Sequence, residues 1–571
     1  MRTRSFLTAT VATALAIVFL MASSSPLAQG VVALSGTATS QEEGKMEGVV
    51  VNARRDGASF TVSVVSDAEG RYSFPRTHLV SGSYVLTIRA VGYDLVTTGA
   101  VTVATEQPAT RDLTLQKTKD LASQLSSLEW AMSMPGTPKE KNALVHQLLS
   151  CAYCHTYERI MKSTISAEHF VPLIARMSTY FQDGTAQSRD GRGRSVRSEN
   201  TAFAEQGTMW GQNPPVTRVE LGRYLATVNL SGGRTTWPYE LKTLPRPTGA
   251  ATRVIITQYD MPRRDTVPHD VEVDSTGTPW YGDQTANYIG KLDPTTGIFT
   301  DYPLPPLPNG RVGGVSDVHV DLEDRLWFPL TAPEGSSHFG SPAMFDPKTE
   351  KLTRLEYPEN RAVQFIARGP DGKIWMNSTN TFIRIDPTTM KVDRNFSFNA
   401  KTEGAPPGPH SFYQLGVNSK GDAYGTDWLG SYIARIDGTT GAMTFFETPT
   451  RNAAPRRGKI DDQDRFWFAE YNGDRIGMFD TKTETFKEWP TPQYSTPYAA
   501  SIPDRNGYVY ATSNMAERVF RLNPETGEVI GYQIPTDFDS KEIIQVMDAG
   551  RTVFWMANTR SARLIRVVPL D

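Results

Sequence analysis

The stretch "FWFAEYNGDRIGMFD", from Phe466 to Asp480, carries the pattern that decides the fold of the larger part of this chain. An apolar segment containing Trp467 leads into a polar turn, and a second apolar segment follows that ends at an aspartate. Short apolar runs bounded by turns that contain glycine, asparagine and aspartate are typical of β-strands. The stretch therefore predicts two strands joined by a turn.

The same pattern recurs over residues 252–571. Its aromatic positions are Trp280, Trp327, Trp375, Tyr424, Trp467, Tyr510 and Trp555, and its turn positions are Asp293, Asp346, Asp386, Asp437, Asp480 and Asn523. Seven units of roughly 45 residues predict a seven-bladed β-propeller. The segment "TRVIITQYDMP" precedes the first unit, and we expect it to complete the last blade, so that the ring closes without an exposed sheet edge.

The segments "FWFAEYNGDRIGMFD" and "YIGKLDPTTGIFTDYPLP" resemble the streptogramin B lyase (virginiamycin B lyase) family, which implies the propeller fold. Enzymes of that family break an ester C–O bond by elimination, using a histidine near the C-terminus with glutamates and magnesium. This chain has no histidine after His410, and its last two units offer Glu517 but no such base. The resemblance therefore implies the fold without that catalytic site.

Two smaller segments precede the propeller, so the sequence predicts a mainly β, multidomain protein. Residues 34–115 alternate apolar and polar positions in "FTVSVVS" and "GSYVLTIRAVGY", which predicts strands. They resemble the carboxypeptidase regulatory-like domain, a small prealbumin-like β-sandwich that is usually an accessory module. Residues 116–232 show helical spacing, and residues 233–251, rich in proline and glycine, predict a linker.

The helical segment contains "LLSCAYCHTYERI", residues 148–160, with the protein's only two cysteines, Cys151 and Cys154, followed by His155. This is the C-x-x-C-H motif that attaches c-type haem. Residues three or four positions apart share a helix face, so both sulfurs can form thioethers with one porphyrin. His155 then binds the iron, and we expect a backbone carbonyl to hold its other ring nitrogen. The segment is thus predicted to be cytochrome c-like.

Other uses of the two cysteines fit the sequence less well. A redox-active pair would need a βαβ setting, and a zinc site would need further ligands close by. The sixth haem ligand stays open between Met177, on the next predicted helix, and Met209, in a loop before the last helix, with His169 as a third candidate. We favour Met177, because chains resembling this one carry an "RM-x-x-Y" helix after the haem motif.

Residues 1–30 combine Arg2 and Arg4 with an apolar run and small residues, the order of a secretory signal peptide. An uncleaved membrane helix is the alternative. The prediction is export to a periplasm, with no membrane span after cleavage. A formal net charge of −3 gives no indication of nucleic-acid binding.

The propeller face on which loops lead into each innermost strand is the expected binding site. Asp283, Asp427 and Glu470 follow second strands there and are candidates to hold a divalent cation together. His269 beside Asp270 is a candidate base or ligand. Further candidates to pack on and orient an organic substrate are Tyr413, Trp428, Arg456 and Tyr471. Acidic residues after strands also cap turns, which is the plainer interpretation.

Together these features predict a periplasmic c-type haem oxidoreductase or electron-transfer protein. Its propeller is expected to bind a small organic substrate or partner, and its haem to exchange electrons with a periplasmic acceptor or donor. The alternatives are a C–O lyase with a structural haem, and a non-catalytic module that binds carbohydrate or cell wall.

Overall fold

The computed structural model describes residues 31–147, 155–180, 218–263, 266–284, 288–305, 314–331, 340–355, 363–378, 380–398, 405–408 and 410–571. The predicted signal peptide, both cysteines and Met209 lie outside these residues. Within them, no helix is both long enough and apolar enough to cross a membrane.

The N-terminal strands form two packed sheets, which confirms the predicted β-sandwich. The strands are Val32–Ser40, Gly44–Lys45, Val50–Arg55, Phe60–Val65, Arg71–Pro75, Gly82–Arg89, Tyr93–Leu95, Val101–Val103, Ala109–Thr110 and Leu113–Lys117. Strand Val32–Ser40 pairs with Arg71–Pro75 and Leu113–Lys117 in one sheet, while Val50–Arg55 lies between Phe60–Val65 and Gly82–Arg89 in the other. Val51, Tyr72 and Phe74 are buried between the sheets.

The segment that follows is helical, as its spacing predicts. The helices are α1 Ser127–Ser133, α2 Pro138–Gln147, α3 Glu158–Met161, α4 Ala167–Tyr180 and α5 Arg218–Val228, with 3-10 turns at Leu121–Gln124 and Gly249–Thr252. Ser126 and Glu129 form a reciprocal capping box that starts α1. The described helices share a small core, but a cytochrome-like arrangement is not evident among them.

The strands from Val254 onward form seven four-stranded antiparallel blades within the described part of the chain, as the repeat predicts. The blades are Pro268–Val273, Pro279–Asp283, Tyr288–Asp293, Ile298–Pro303 (first); His319–Val320, Leu326–Thr331, Gly340–Asp346, Lys351–Arg354 (second); Phe365–Arg368, Ile374–Asn377, Thr381–Asp386, Lys391–Ser397 (third); Phe412–Val417, Ala423–Asp427, Tyr432–Ile436, Met443–Glu447 (fourth); Pro455–Ile460, Arg465–Glu470, Arg475–Asp480, Thr485–Pro490 (fifth); Pro497–Ala500, Val509–Ser513, Arg518–Leu522, Val529–Gln533 (sixth); and Ile544–Asp548, Arg551–Asn558, Arg563–Pro569 with Val254–Asp260 (seventh).

The repeated aromatic residues stand on the second strand of each blade and are at most 3% exposed. Several donate to an aspartate in the turn just before them: Trp280 Nε1 to Asp274 and Trp327 Nε1 to Asp321, each at 2.8 Å. In every blade this turn contains a residue with positive φ, namely Gly277, Asp324, Gly372, Gly421, Asp464, Gly507 and Gly550. The left-handed conformation explains why glycine and aspartate recur at this position.

The strand Val254–Asp260 closes the ring, as the sequence predicts, by pairing antiparallel with Arg563–Pro569. Its other edge pairs with Phe60–Val65 of the sandwich. The seventh blade and one sheet of the sandwich are therefore a single eight-stranded sheet. The sandwich covers an edge that would otherwise be open to pairing with another chain.

The helical segment packs on the face of the propeller that carries the ends of the second strands. The Leu128 N–H donates to the Met515 carbonyl at 2.8 Å, and Met515 and Ala516 belong to the same apolar cluster as Trp130. Within the predicted linker, residues 233–251, the Leu244 N–H donates to Glu129 Oε1 at 2.8 Å. The helices are thereby held over the sixth and seventh blades.

Candidate functional site

Four blades meet at a charged cluster around Arg457 on the propeller axis. Arg457 Nη1 lies 2.7 Å from Asp270 Oδ2, 3.0 Å from Glu542 Oε2 and 3.7 Å from Asp317 Oδ1. All four residues are less than 10% exposed. Alternating side chains of innermost strands point at the axis, which is why residues so far apart in sequence converge here.

One guanidinium cannot balance three buried carboxylates. Burial opposes ionisation of Asp270, but the charge of Arg457 and the hydrogen bond from His269 outweigh it and hold the Asp270 pKa well below its usual range. Burial, reinforced by the charge of Asp270, raises the pKa of Asp317 well above its usual range. The raised pKa favours the protonated form of Asp317, and a proton there reduces the net negative charge of the cluster.

His269 lies beside this cluster, as the sequence predicts. Its Nδ1 is 2.8 Å from Asp270 Oδ1, and its side chain is 2% exposed. Burial lowers the pKa of His269, against the opposing effect of Asp270. The histidine is thus a neutral, oriented ring in the channel wall.

Arg456, the neighbour of Arg457, is enclosed by aromatic rings. Its Cζ lies 4.4 Å from the ring centroid of Tyr471, 4.6 Å from Tyr498, 5.0 Å from Tyr413 and 5.1 Å from Trp428. The Tyr413 and Tyr498 hydroxyls are hydrogen-bonded to each other. We call this arrangement the Arg456 cage. The sequence predicts Tyr413, Trp428, Arg456 and Tyr471 as substrate-packing residues, and the structure brings them together.

A second cation adjoins the Arg456 cage. Lys541 Nζ lies 4.9 Å from the Tyr498 ring centroid and 2.6 Å from Asp539 Oδ1. Burial lowers the pKa of Lys541 to about 8, although Asp539 acts in the opposite direction. The edge of the Arg456 cage therefore carries the Lys541 ammonium, whose charge is largely balanced by the Asp539 carboxylate.

The three carboxylates predicted to share a cation are not brought together. Asp283 of the first blade pairs with Arg263, Nη2 to Oδ2 at 3.0 Å, and Asp427 of the fourth blade pairs with His410, Nδ1 to Oδ2 at 2.5 Å. Within the described ranges no group of three or more His, Cys, Asp or Glu side chains is arranged to hold a metal ion. Asp283 and Asp427 are each engaged by a basic side chain instead. The shared cation site stays a prediction that the described residues do not support.

Glu470, the third of these residues, lies in the fifth blade and is fully buried. Neither of its carboxylate oxygens has a hydrogen-bond partner among the described residues. Burial, and then the proximity of Glu488, raises the pKa of Glu470 well above its usual range. The raised pKa favours the protonated form of Glu470 over the anion that a cation would need.

His155 lines an open cleft between the helices and the seventh blade. The cleft has a volume of about 570 Å³ and is bordered by His155, Thr156, Glu158, Arg159, Lys162, Asp537 and Arg560. His155 Nδ1 is 2.8 Å from the Thr156 carbonyl oxygen, the type of contact that the sequence predicts for it. Cys151 and Cys154 lie outside the described residues, as do Met209 and the side chain of Met177.

Sequence comparison of the blades missed Tyr498, Lys541 and Glu542. Arg457 pairs with Ala499 across neighbouring innermost strands, so Tyr498 is the counterpart of Arg456. The sixth blade has one more residue between Tyr498 and the following turn than the fifth blade has after Arg456. Counting back from the aromatic residue therefore reaches Ala499 instead of Tyr498. Proline directly precedes His269, Arg456 and Tyr498 alike, and this signal identifies the correct register.

Residues 33–116 match the carboxypeptidase regulatory-like domain family. Among solved structures, the virginiamycin B lyase of Staphylococcus aureus is 21% identical over 55% of this chain and 99% of its own, with a TM-score of 0.47. A catalytically inactive variant of that lyase with quinupristin is also 21% identical, covering 55% and 99% of the two chains, with a TM-score of 0.46.

A further streptogramin B lyase structure is 19% identical, over 56% of this chain and 99% of its own, with a TM-score of 0.47. No curated protein sequence matches the chain.

Proposed function

We propose that the protein is a periplasmic c-type haem oxidoreductase that binds an organic substrate at the mouth of the propeller channel. Cys151 and Cys154 would attach the haem covalently and His155 would bind its iron. When bound, the haem supplies one-electron redox chemistry. The chain's own residues provide attachment, orientation and the substrate site.

The orientation of His155 is the observation that carries this proposal. Its Nδ1 contacts the Thr156 carbonyl, so Nδ1 carries the ring proton and Nε2 has the lone pair that a metal ligand needs. A ring fixed in this way at the edge of a 570 Å³ cleft fits a residue that would bind the iron of a haem.

The charges along the cleft support the same group. Arg159, Lys162 and Arg560 face it, against the two carboxylates of Glu158 and Asp537. A haem carries two propionates, and guanidinium and ammonium groups are suitable partners for them. The cleft therefore offers the His155 ring nitrogen on its helical side and cations at its border, and these residues would hold a haem there.

The cleft and the Arg456 cage lie on the same face of the propeller. Arg560 pairs with Asp537 at the cleft, and the next acidic residue along that loop, Asp539, binds Lys541 at the cage. The loop of the seventh blade thus links the two sites. A substrate held at the cage would lie on the face over which the helices are packed, an arrangement that suits electron transfer between them.

The test is to express the full chain in cells that export it and attach c-type haem. The wild type should carry one haem that survives denaturation, shown by protein mass and by the spectrum of the denatured protein in pyridine. The variant Cys151→Ser/Cys154→Ser should carry none, whereas His78→Gln in the sandwich should be indistinguishable from the wild type. A wild type with the mass of polypeptide alone would falsify the proposal.

The sixth ligand is tested in the same system. Met177→Ala and Met209→Ala remove the two candidate thioethers separately. Loss of a thioether ligand should lower the reduction potential and change the spectrum of the oxidised protein. We expect this for Met177→Ala, with Met209→Ala as the matched control.

A further inference from the structure

Arg456 is a buried cation for which the described residues provide no anion. It is 4% exposed, and no carboxylate oxygen among them lies within 4.0 Å of its guanidinium nitrogens. Its Nε has no hydrogen-bond partner in the described residues. Arg457, one position further on the same strand, contacts three carboxylates.

The faces of the four rings around Arg456 attract its positive charge but do not accept ordinary hydrogen bonds from its N–H groups. Aromatic faces attract a guanidinium through the negative charge of their ring faces. They do not replace the in-plane acceptors for which the five N–H donors of arginine are arranged. Burying a charge without such acceptors is costly, so a site of this kind is suited to receive an acceptor from outside.

We propose that the Arg456 cage binds the carboxylate of a planar organic acid. The guanidinium edge donates to the two carboxylate oxygens, and the rings of Tyr413 and Trp428 pack against the ligand's planar body. Tyr413 is the only half-buried ring of the four, so the ligand enters on its side. This inference rests on the proposed function, since it names the substrate class of that site.

The surrounding charges favour one negative charge over two. Asp539 already engages Lys541, so among the described residues of the cage Arg456 is the cation left for a ligand. Asp270 and Glu542 engage the adjacent Arg457, and their negative charge opposes a dianion. Inorganic phosphate, which is largely dianionic above neutral pH, is therefore expected to bind weakly if at all.

The experiment measures binding of benzoate, benzamide and inorganic phosphate to the purified full chain by isothermal titration calorimetry. Benzamide has the shape of benzoate without its charge. We expect benzoate to bind at least tenfold more tightly than benzamide, and phosphate to give no signal. Equal binding of benzoate and benzamide, or no binding of benzoate, would overturn the proposal.

Variants assign the effect to the side chain. Arg456→Met should weaken benzoate binding at least tenfold, and Arg456→Lys, which keeps the charge but loses the planar fork, should have an intermediate affinity. Arg451→Met, at an exposed position nearby in sequence, should bind within twofold of the wild type. If Arg456→Met does not fold, the comparison rests on Arg456→Lys. Wild-type affinity for benzoate in either folded variant would contradict the assignment of the site to Arg456.

Haem and anion binding are separable. Cys151→Ser/Cys154→Ser should bind benzoate with unchanged affinity, because neither residue belongs to the Arg456 cage. Wild-type protein that carries haem but does not bind benzoate would refute the substrate class alone. Protein that binds benzoate but never carries haem would refute the proposed function and leave the anion site standing.

Discussion

Arg457 of the fifth blade donates to Asp270 of the first blade, with Nη1 and Oδ2 2.7 Å apart. The two residues are 187 positions apart in sequence and both are 1% exposed. The same guanidinium reaches Glu542 of the seventh blade. The Arg457 side chain therefore connects the first and seventh blades to the fifth blade across the centre of the ring.

Replacing Arg457 should be among the most damaging single changes in the chain. Arg457→Met keeps an unbranched apolar stem but removes the guanidinium, which leaves Asp270 and Glu542 buried without their partner. Removing one member of a buried ion pair costs about 3–5 kcal/mol. We expect a loss of that size in denaturant unfolding followed by tryptophan fluorescence. Exposed Arg451→Met is the control and should change stability by less than about 0.5 kcal/mol.

Glu470 makes stability depend on pH. Its pKa in the folded protein is raised well above the usual range by burial and by Glu488, whereas the unfolded chain releases the proton near pH 4.3. The folded state thus binds the proton more tightly, and Glu470 costs stability as pH rises above about 4.3, by at most about 1.4 kcal/mol per pH unit. Glu470→Gln should therefore gain stability relative to the wild type between pH 5 and 8.

The measurement is the melting temperature at a fixed scan rate across that pH range. Exposed Glu525→Gln controls for the loss of a carboxyl group and should follow the wild-type curve. A Glu470→Gln curve parallel to that of the wild type would mean that Glu470 is ionised in the folded protein.

Much of the fold is predictable because each blade repeats the same local chemistry. The turn aspartate, the residue with positive φ and the buried aromatic are local features, visible in "DRFWFAE" and its counterparts. The pairing of Val254–Asp260 with the sandwich strand Phe60–Val65 was not predicted. Neither strand carries a sequence feature that specifies the other as its partner. This pairing therefore depends on how the two domains pack in three dimensions.

The candidate site is predictable only where the blades keep their register. Arg456, Tyr413, Trp428 and Tyr471 occupy repeat positions and were identified from the sequence. Tyr498 and Lys541 were missed because the sixth and seventh blades differ in length before the aromatic residue. Asp283 and Asp427 were assigned to a common cation because sequence does not reveal that Arg263 and His410 engage them.

Met515 should connect the stability of the helices with that of the propeller. It is fully buried between α1 and the sixth blade, and its carbonyl accepts from Leu128. Met515→Ala leaves a cavity at this interface and should cost about 2–5 kcal/mol. Limited proteolysis should then release the helical segment faster than in the wild type. Met547→Ala, at a side chain that is 59% exposed, is the matched control and should leave the rate unchanged.

His410 should stabilise the protein in its charged form. Its Nδ1 faces Asp427 Oδ2 at 2.5 Å and its Nε2 faces the Pro406 carbonyl at 2.8 Å, so both neighbours accept and only the protonated ring donates to both. The hydrogen bond to Asp427 accordingly raises the His410 pKa above its ordinary value. A raised histidine pKa contributes stability fully below the unfolded value, near pH 6.5, and that stability is lost as pH rises through the folded value.

His410→Gln should therefore destabilise the protein by about 1.5–3 kcal/mol at pH 6 and by less at pH 9, measured by denaturant unfolding at both values. Asp427→Asn removes the charge on the other side of the pair, and its stability should depend less on pH in the same window. If the cost of His410→Gln were the same at pH 6 and pH 9, the ring would be neutral in the folded protein, and Asp427 would act on it only as a neutral hydrogen-bond partner.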